Sequence, residues 1–167
     1  MSIKEIGFGD LPNELATTRK HLERVPDDKL GWKPHDKSFS LGHLASHIAN
    51  LSEWGVMILG TDELDLSQPF PEQEEPTSTA QILAAFDEKT AAWIKAMDEA
   101  DDEQMMGTWT LRMGDQVMTA FPRAANLRSF VLNHLMHHRA QLGVYFRLLD
   151  IPVPSTYGPS ADEDPFS

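Results

Sequence analysis

The 167-residue chain contains no cysteine. That excludes a disulfide framework, a thiolate metal ligand and a nucleophilic thiol of the protein's own, so any metal site must be built from His, Asp, Glu or backbone oxygen. Basic residues are also scarce, 14 against 26 acidic ones, for a formal net charge of −12. A chain so acidic opposes non-specific nucleic-acid binding and repels anionic lipid surfaces. No apolar run approaches the roughly 20 residues of a membrane span. The start Met1–Ser2–Ile3–Lys4–Glu5 lacks the pattern of a signal peptide, which leaves a cytoplasmic protein as the expectation. There is no internal repeat, no low-complexity segment, and no H-E-x-x-H, G-x-S-x-G or P-loop pattern.

What the chain does have is an ordinary globular composition, with 41% hydrophobic and 24% charged residues, and four long stretches with helical periodicity. The first spans about Leu11 to Arg24, with Asp10 as a cap and Pro12 in the first turn. The second spans about Leu41 to Leu59 behind Ser40, with Leu44, His47, Leu51, Trp54 and Ile58 on one stripe. The third spans about Thr79 to Ala100, opened by Ser78 and Gln81 in a capping-box pattern. The charge run Asp98–Glu103, which the helix dipole does not favour, suggests fraying at its end, although a solvated end is the favoured reading. The fourth spans about Pro122 to Leu149 and carries Leu127, Val131, His134, His138, Leu142, Tyr145 and Leu149. Pro152 and Pro154 stop it.

Between the second and third helices, Thr61 to Pro76 is acidic and proline-rich and reads as a long crossover loop, its Glu72–Glu75 stretch solvated. Thr108–Arg112 and Gln116–Thr119 alternate around Gly114–Asp115 as a short β-hairpin. The expected fold is therefore all-α: a four-helix bundle with long crossover loops and a short hairpin before the last helix, one domain over residues 1–167.

Histidine carries the chemistry. His134 and His138, four residues apart on a helix, lie on one face about one turn apart. Both interrupt an apolar stripe, and His47 does the same on the second helix. Burying three imidazoles without partners is costly, and a shared cation supplies one. His47, His134 and His138 are accordingly the candidate metal ligands. His137 is turned by about 100° from His138 and reads as a flanking residue. His43 could replace His47 or stand beside it, with a partly exposed helical histidine the favoured reading, and His21 and His35 read as surface residues. Three neutral imidazoles leave coordination positions open, and such a site lowers the pKa of bound water towards ~7 or holds a thiolate. Zinc, and beside it nickel, suits such a site; iron, cobalt and manganese are chemically open to it.

The segments Ser40–Leu41–Gly42–His43–Leu44–Ala45–Ser46–His47–Ile48–Ala49 and Leu132–Asn133–His134–Leu135–Met136–His137–His138–Arg139–Ala140–Gln141–Leu142, with the tail Ile151–Asp162, resemble the DinB/YfiT-like family over nearly the whole chain. The family often has Gly where this chain has Ala140. The resemblance implies a four-helix bundle, a three-histidine divalent metal site matching His47, His134 and His138, and frequent homodimers. It also implies a small-molecule substrate and, in relatives of known activity, thiol-dependent transferases and isomerases using mycothiol, bacillithiol or glutathione. A metal-dependent hydrolase and a non-catalytic metal-binding, stress-related protein are the alternatives. Arg139 is a candidate either for orienting the site or for a structural salt bridge. Position 43 is often not histidine in the family, so no ligand role carries over to His43.

Overall fold

Four helices of 12 or more residues carry the core of the computed structural model, which describes residues 1–69 and 75–164. They are α2 (Leu11–Leu22), α3 (Leu41–Gly60), α4 (Thr79–Glu99) and α7 (His134–Leu148). Short helices α1 (Ile3–Phe8), α5 (Asp102–Met106) and α6 (Arg123–Asn126) fill in around them. Among the described residues no helix is long and apolar enough to cross a membrane.

Each long helix buries one stripe, as amphipathic spacing requires. Leu44, Ile48, Leu51 and Ile58 of α3 meet Ile82, Phe86, Trp93 and Met97 of α4 in one hydrophobic cluster. The two helices approach closely at Gly55, where a Cβ would lie 2.4 Å from the Trp93 indole. Only glycine leaves room there for a side chain as large as tryptophan. Ser40 caps α3 by accepting from the His43 amide, and Ser78 caps α4 by accepting from the Gln81 amide. Asp10 does not cap α2; its carboxylate is drawn away to Arg128 at 3.2 Å.

Three departures from the periodicity reading have physical causes. The charge run is solvated, as the favoured reading has it, but it divides two helices rather than fraying one. Helix α4 stops at Glu99, and α5 restarts behind Asp101, whose side chain accepts from the Gln104 amide. Secondly, the protein is mostly helical but not all-helical. Strands β1 (Glu63–Asp65), β2 (Thr108–Met113) and β3 (Gln116–Pro122) form a mixed sheet in that order, β1 parallel to β2 and β2 antiparallel to β3. The hairpin turns at Gly114 with φ 57°, as expected. Strand β1 is too short and too acidic to show an alternation. Arg112 fastens it, pairing with Glu63 at 2.7 Å and Asp65 at 3.5 Å. Part of the Glu72–Glu75 stretch lies outside the described residues.

The third departure concerns the last helix. It is one helical run from Arg123, but Leu127–Asn133 is a π-helix between α6 and α7. A π-turn inserts residues relative to the 3.6 period and rotates everything downstream. The buried face of α7 is consequently Leu135, His138, Arg139, Leu142 and Phe146, while Tyr145 is only partly buried.

Arg139 holds α7 at that rotation. Its guanidinium is 2% exposed and pairs with Glu14 of α2, 7% exposed, at 2.7 Å. It also donates to the Glu14 carbonyl, to Thr18 Oγ1 and to the Tyr157 hydroxyl at 3.0, 3.2 and 3.0 Å. Tyr157 lies on the tail and donates in turn to the Glu14 carboxylate. The tail packs back further through Arg147–Asp162 and Arg24–Glu163. Arg139 is therefore spent on structure.

Breaking a buried pair leaves an uncompensated charge. Glu14→Ala is expected to destabilise the protein by about 3–5 kcal/mol in denaturant titration. The double substitution Glu14→Leu with Arg139→Met is expected to recover a large part of that loss.

Candidate metal centre

Helices α3 and α7 bring His47, His134 and His138 together, with one ligand-capable ring nitrogen from each lying within 4.8 Å of the others. The Nε2 atoms of His134 and His138 are 2.8 Å apart, and those of His47 and His134 are 3.4 Å apart. The His47 and His138 rings meet edge to face with centroids 4.6 Å apart. His138 is buried; His47 and His134 are half-buried at the margin of the core, so the cluster has a dry side and a wet side.

The far side of the α7 rings explains why their Nε2 atoms are available. His134 Nδ1 lies 3.3 Å from the carbonyl oxygen of Phe130, which can only accept, so the proton of this imidazole sits on Nδ1. In the π-segment amide hydrogen bonds reach five residues back, which opens the Phe130 carbonyl to a side chain. His138 Nδ1 lies 2.8 Å from Gln141 Oε1 and is held the same way. The other end of the Gln141 amide, Nε2, lies 3.1 Å from His137 Nε2. With both Nδ1 atoms protonated, the Nε2 atoms of His134 and His138 face each other lone pair to lone pair. That contact is repulsive until a cation lies between them.

Burial lowers the basicity of all three rings. His47 is pushed down to about 4, first by burial and then by the neighbouring His138, His134 and His43. Burial is also the largest cause lowering His134 and His138. All three are therefore neutral at pH 7, the form in which imidazole binds a metal. Two nitrogens bound to one tetrahedral divalent ion at 2.0–2.1 Å lie about 3.4 Å apart. The His47–His134 spacing meets this, and His134–His138 has to open by about half an ångström. The donor set, tautomers and spacing fit a divalent ion, and Gln141 and the Phe130 carbonyl are the outer partners that such ligands need.

The remaining histidines separate clearly. His137 is exposed, and its ring packs edge to face on His138 at 4.9 Å. His43 stands outside the triad: its Nδ1 is 2.7 Å from Glu75 Oε1 and its ring lies on Phe39 at 4.5 Å. His35 is exposed, as expected. His21 is not a surface residue. It is 2% exposed, because α2 turns it under α7, where it stacks on Phe146 and its Nδ1 donates to the Thr17 carbonyl at 2.9 Å. Sequence reasoning missed Gln141 as an orienting residue. Its signal was the i, i+3 spacing from His138.

A cleft of about 370 Å³ opens beside the triad, lined by His138 and Gln141 together with Lys37, Ser38, Phe39, Val144 and Tyr145. Two larger clefts, of about 520 and 590 Å³, lie against the tail and against α1. Of these three clefts, the smallest one contains a residue of the triad, His138.

The sequence profile of the DinB superfamily matches residues 13–142, a span that contains all three histidines. The chain belongs to the DinB superfamily. Among curated proteins, this DinB superfamily member is 25% identical over 150 residues to the uncharacterized protein YrdA of Bacillus subtilis, covering 90% of this chain and 85% of YrdA. Its fold is similar to the crystal structure of a DinB-like protein from Bacillus cereus, with TM-score 0.70, 22% identity and coverage of 90% and 95% of the two chains. It is likewise similar to the DinB-like protein YjoA of Bacillus subtilis, with TM-score 0.67, 19% identity and coverage of 86% and 92%.

The depressed basicity of His47 has a consequence for the metal-free protein. Between about 6.5, the ordinary histidine value, and about 4, the unfolded chain binds a proton that the folded chain refuses. Stability therefore rises with pH across this window and is lost on acidification. Thermal unfolding midpoints measured from pH 7 to pH 4 are expected to fall less steeply in His47→Gln than in the parent. Equal slopes would mean that His47 is not held neutral by the fold.

Proposed function

We propose that this protein is a divalent-metal-dependent enzyme whose ligands are His47, His134 and His138, and that it transfers a low-molecular-weight thiol to an electrophilic small molecule. The observation that carries the proposal is the convergence of three neutral imidazoles on one point, two of them with Nδ1 already committed to oxygen acceptors. Three nitrogens leave coordination positions open, and the 370 Å³ cleft reaches the triad at His138. Zinc or nickel suits the donor set best, with iron, cobalt and manganese as alternatives.

A divalent ion held there supplies Lewis acidity: it favours the anionic form of a sulfur or oxygen donor at neutral pH. The chain's own residues do the rest. Gln141 and the Phe130 carbonyl keep the Nε2 lone pairs of His138 and His134 aimed at one point. Phe39 and Val144, 48% and 59% exposed, give the cleft an apolar wall for the body of a substrate. The absence of cysteine is consistent with an enzyme that takes its thiol from solution.

One observation favours a second reading, a metal-dependent hydrolase. His43 lies one turn before His47, and Glu75 holds its Nδ1, which leaves Nε2 free to accept a proton at the mouth of the site. Such a base suits the activation of a water molecule.

Around this chemistry we propose a single domain over residues 1–167, with α2, α3, α4 and α7 as a four-helix bundle, in a cytoplasmic homodimer. The apolar edge strand β3, with Val117, Met118 and Phe121 exposed, supports a partner.

The staged test uses protein purified without a tag. Elemental analysis is expected to give about one divalent ion per chain and a loss of at least tenfold in metal affinity for His138→Ala. Metal-loaded protein incubated with a low-molecular-weight thiol and an aryl or alkyl halide is then expected to form the thioether conjugate. Bound metal with no conjugate would favour the hydrolase or a non-catalytic metal-binding protein, and unchanged metal content in His138→Ala would remove the site.

A further inference from the structure

In a chain of net charge −12, positive charge is the scarce resource. Every arginine is engaged by a carboxylate. Lys29, Lys89 and Lys95 pair with acids, and Lys4 donates to the carbonyls of Met97 and Asp98. Among the described residues that leaves Lys20, on α2, and Lys33 and Lys37, both on the loop leading into α3. Only Lys37 lines the cleft that contains His138. Asp36, its neighbour in sequence, does not.

The loop that carries Lys37 is braced. The Tyr145 hydroxyl donates to the Phe39 carbonyl at 3.2 Å, and Trp32 packs edge to face on the Tyr145 ring at 5.6 Å. The Leu41 and Gly42 amides donate back to the Trp32 and Leu30 carbonyls, both at 2.8 Å. The Lys37 amide donates to His35 Nδ1 at 3.1 Å. The backbone under Lys37 is thus held to α7, the helix that carries His134 and His138.

The cleft accordingly has three parts: an end at His138 of the triad and its partner Gln141, an apolar wall of Phe39 and Val144, and the Lys37 ammonium, which has no acidic partner among the described residues. We propose that it takes an anionic small molecule, with a metal-binding donor at one end and a carboxylate or similar anion at the other, and that Lys37 is the residue that selects the negative charge. This rests on the reading of the triad as a metal site. Lys37 also answers a difficulty that the protein's own field creates, since an anionic ligand approaching so acidic a surface needs a local positive charge.

The test uses cobalt(II)-loaded protein and three small thiols that differ in the charge of the far end: 3-mercaptopropionate, neutral 2-mercaptoethanol and cationic cysteamine. Titrations follow the sulfur-to-cobalt absorption in the near ultraviolet. Comparing proteins rather than thiols cancels each thiol's own acidity. In Lys37→Glu the ratio of 3-mercaptopropionate to cysteamine affinity is expected to fall roughly tenfold from the parent, with Lys37→Ala in between. The cobalt content and visible bands stay unchanged, and the effect shrinks as salt is raised. Visible bands with the same ratio in all three proteins would overturn the role of Lys37 while leaving the metal site standing. Absence of the cobalt bands in the parent would overturn both.

Discussion

The buried pair between Arg139 and Glu14 decides where the last helix points. A helix with histidines at positions 134, 137 and 138 can present them in different directions depending on its rotation, and the apolar residues of α7 alone do not choose sharply among these. An arginine that is 2% exposed cannot be left without its carboxylate. Satisfying it fixes α7 against α2 and closes the tail over both through Tyr157. With that rotation set, His134 and His138 fall beside α3, where His47 waits, and His137 falls outside.

Consecutive residues of one motif thus divide the work. His138 presents its Nε2 to the triad, Arg139 anchors the helix, and Gln141 Oε1 accepts a hydrogen bond from His138 Nδ1–H. The π-segment contributes from the other direction by supplying the Phe130 carbonyl that fixes His134. For the two rings on α7 the fold thereby meets the requirement of a nitrogen-ligand site, which is that a ring be neutral, correctly protonated and unable to turn away. A cation between the two bare Nε2 atoms would relieve their close approach.

Much of this was legible in the sequence, for identifiable reasons. The long helices announced themselves by periodicity, and their caps at Ser40 and Ser78 by residue type. The hairpin was readable from Gly114–Asp115 between alternating runs. The three histidines stood out because they interrupted apolar stripes on separate helices. What escaped depended on long-range contacts. Asp10 was lost as a cap because Arg128, far along the chain, claims its carboxylate. His21 looked like a surface residue because nothing local reveals that α7 covers it. Strand β1 exists only through β2, and the π-turn has no local signature. The free charge of Lys37 became visible only once the partners of the arginines and of the other lysines, and the lining of the cleft, were known.

The central claim is that a single divalent ion binds between α3 and α7 on His47, His134 and His138. Anomalous diffraction from crystals of untagged protein, collected on both sides of the absorption edge of the element found in solution, tests it most directly. The account predicts one strong peak per chain within bonding distance of the three Nε2 atoms. No peak there, or a peak bound by other residues, would contradict it.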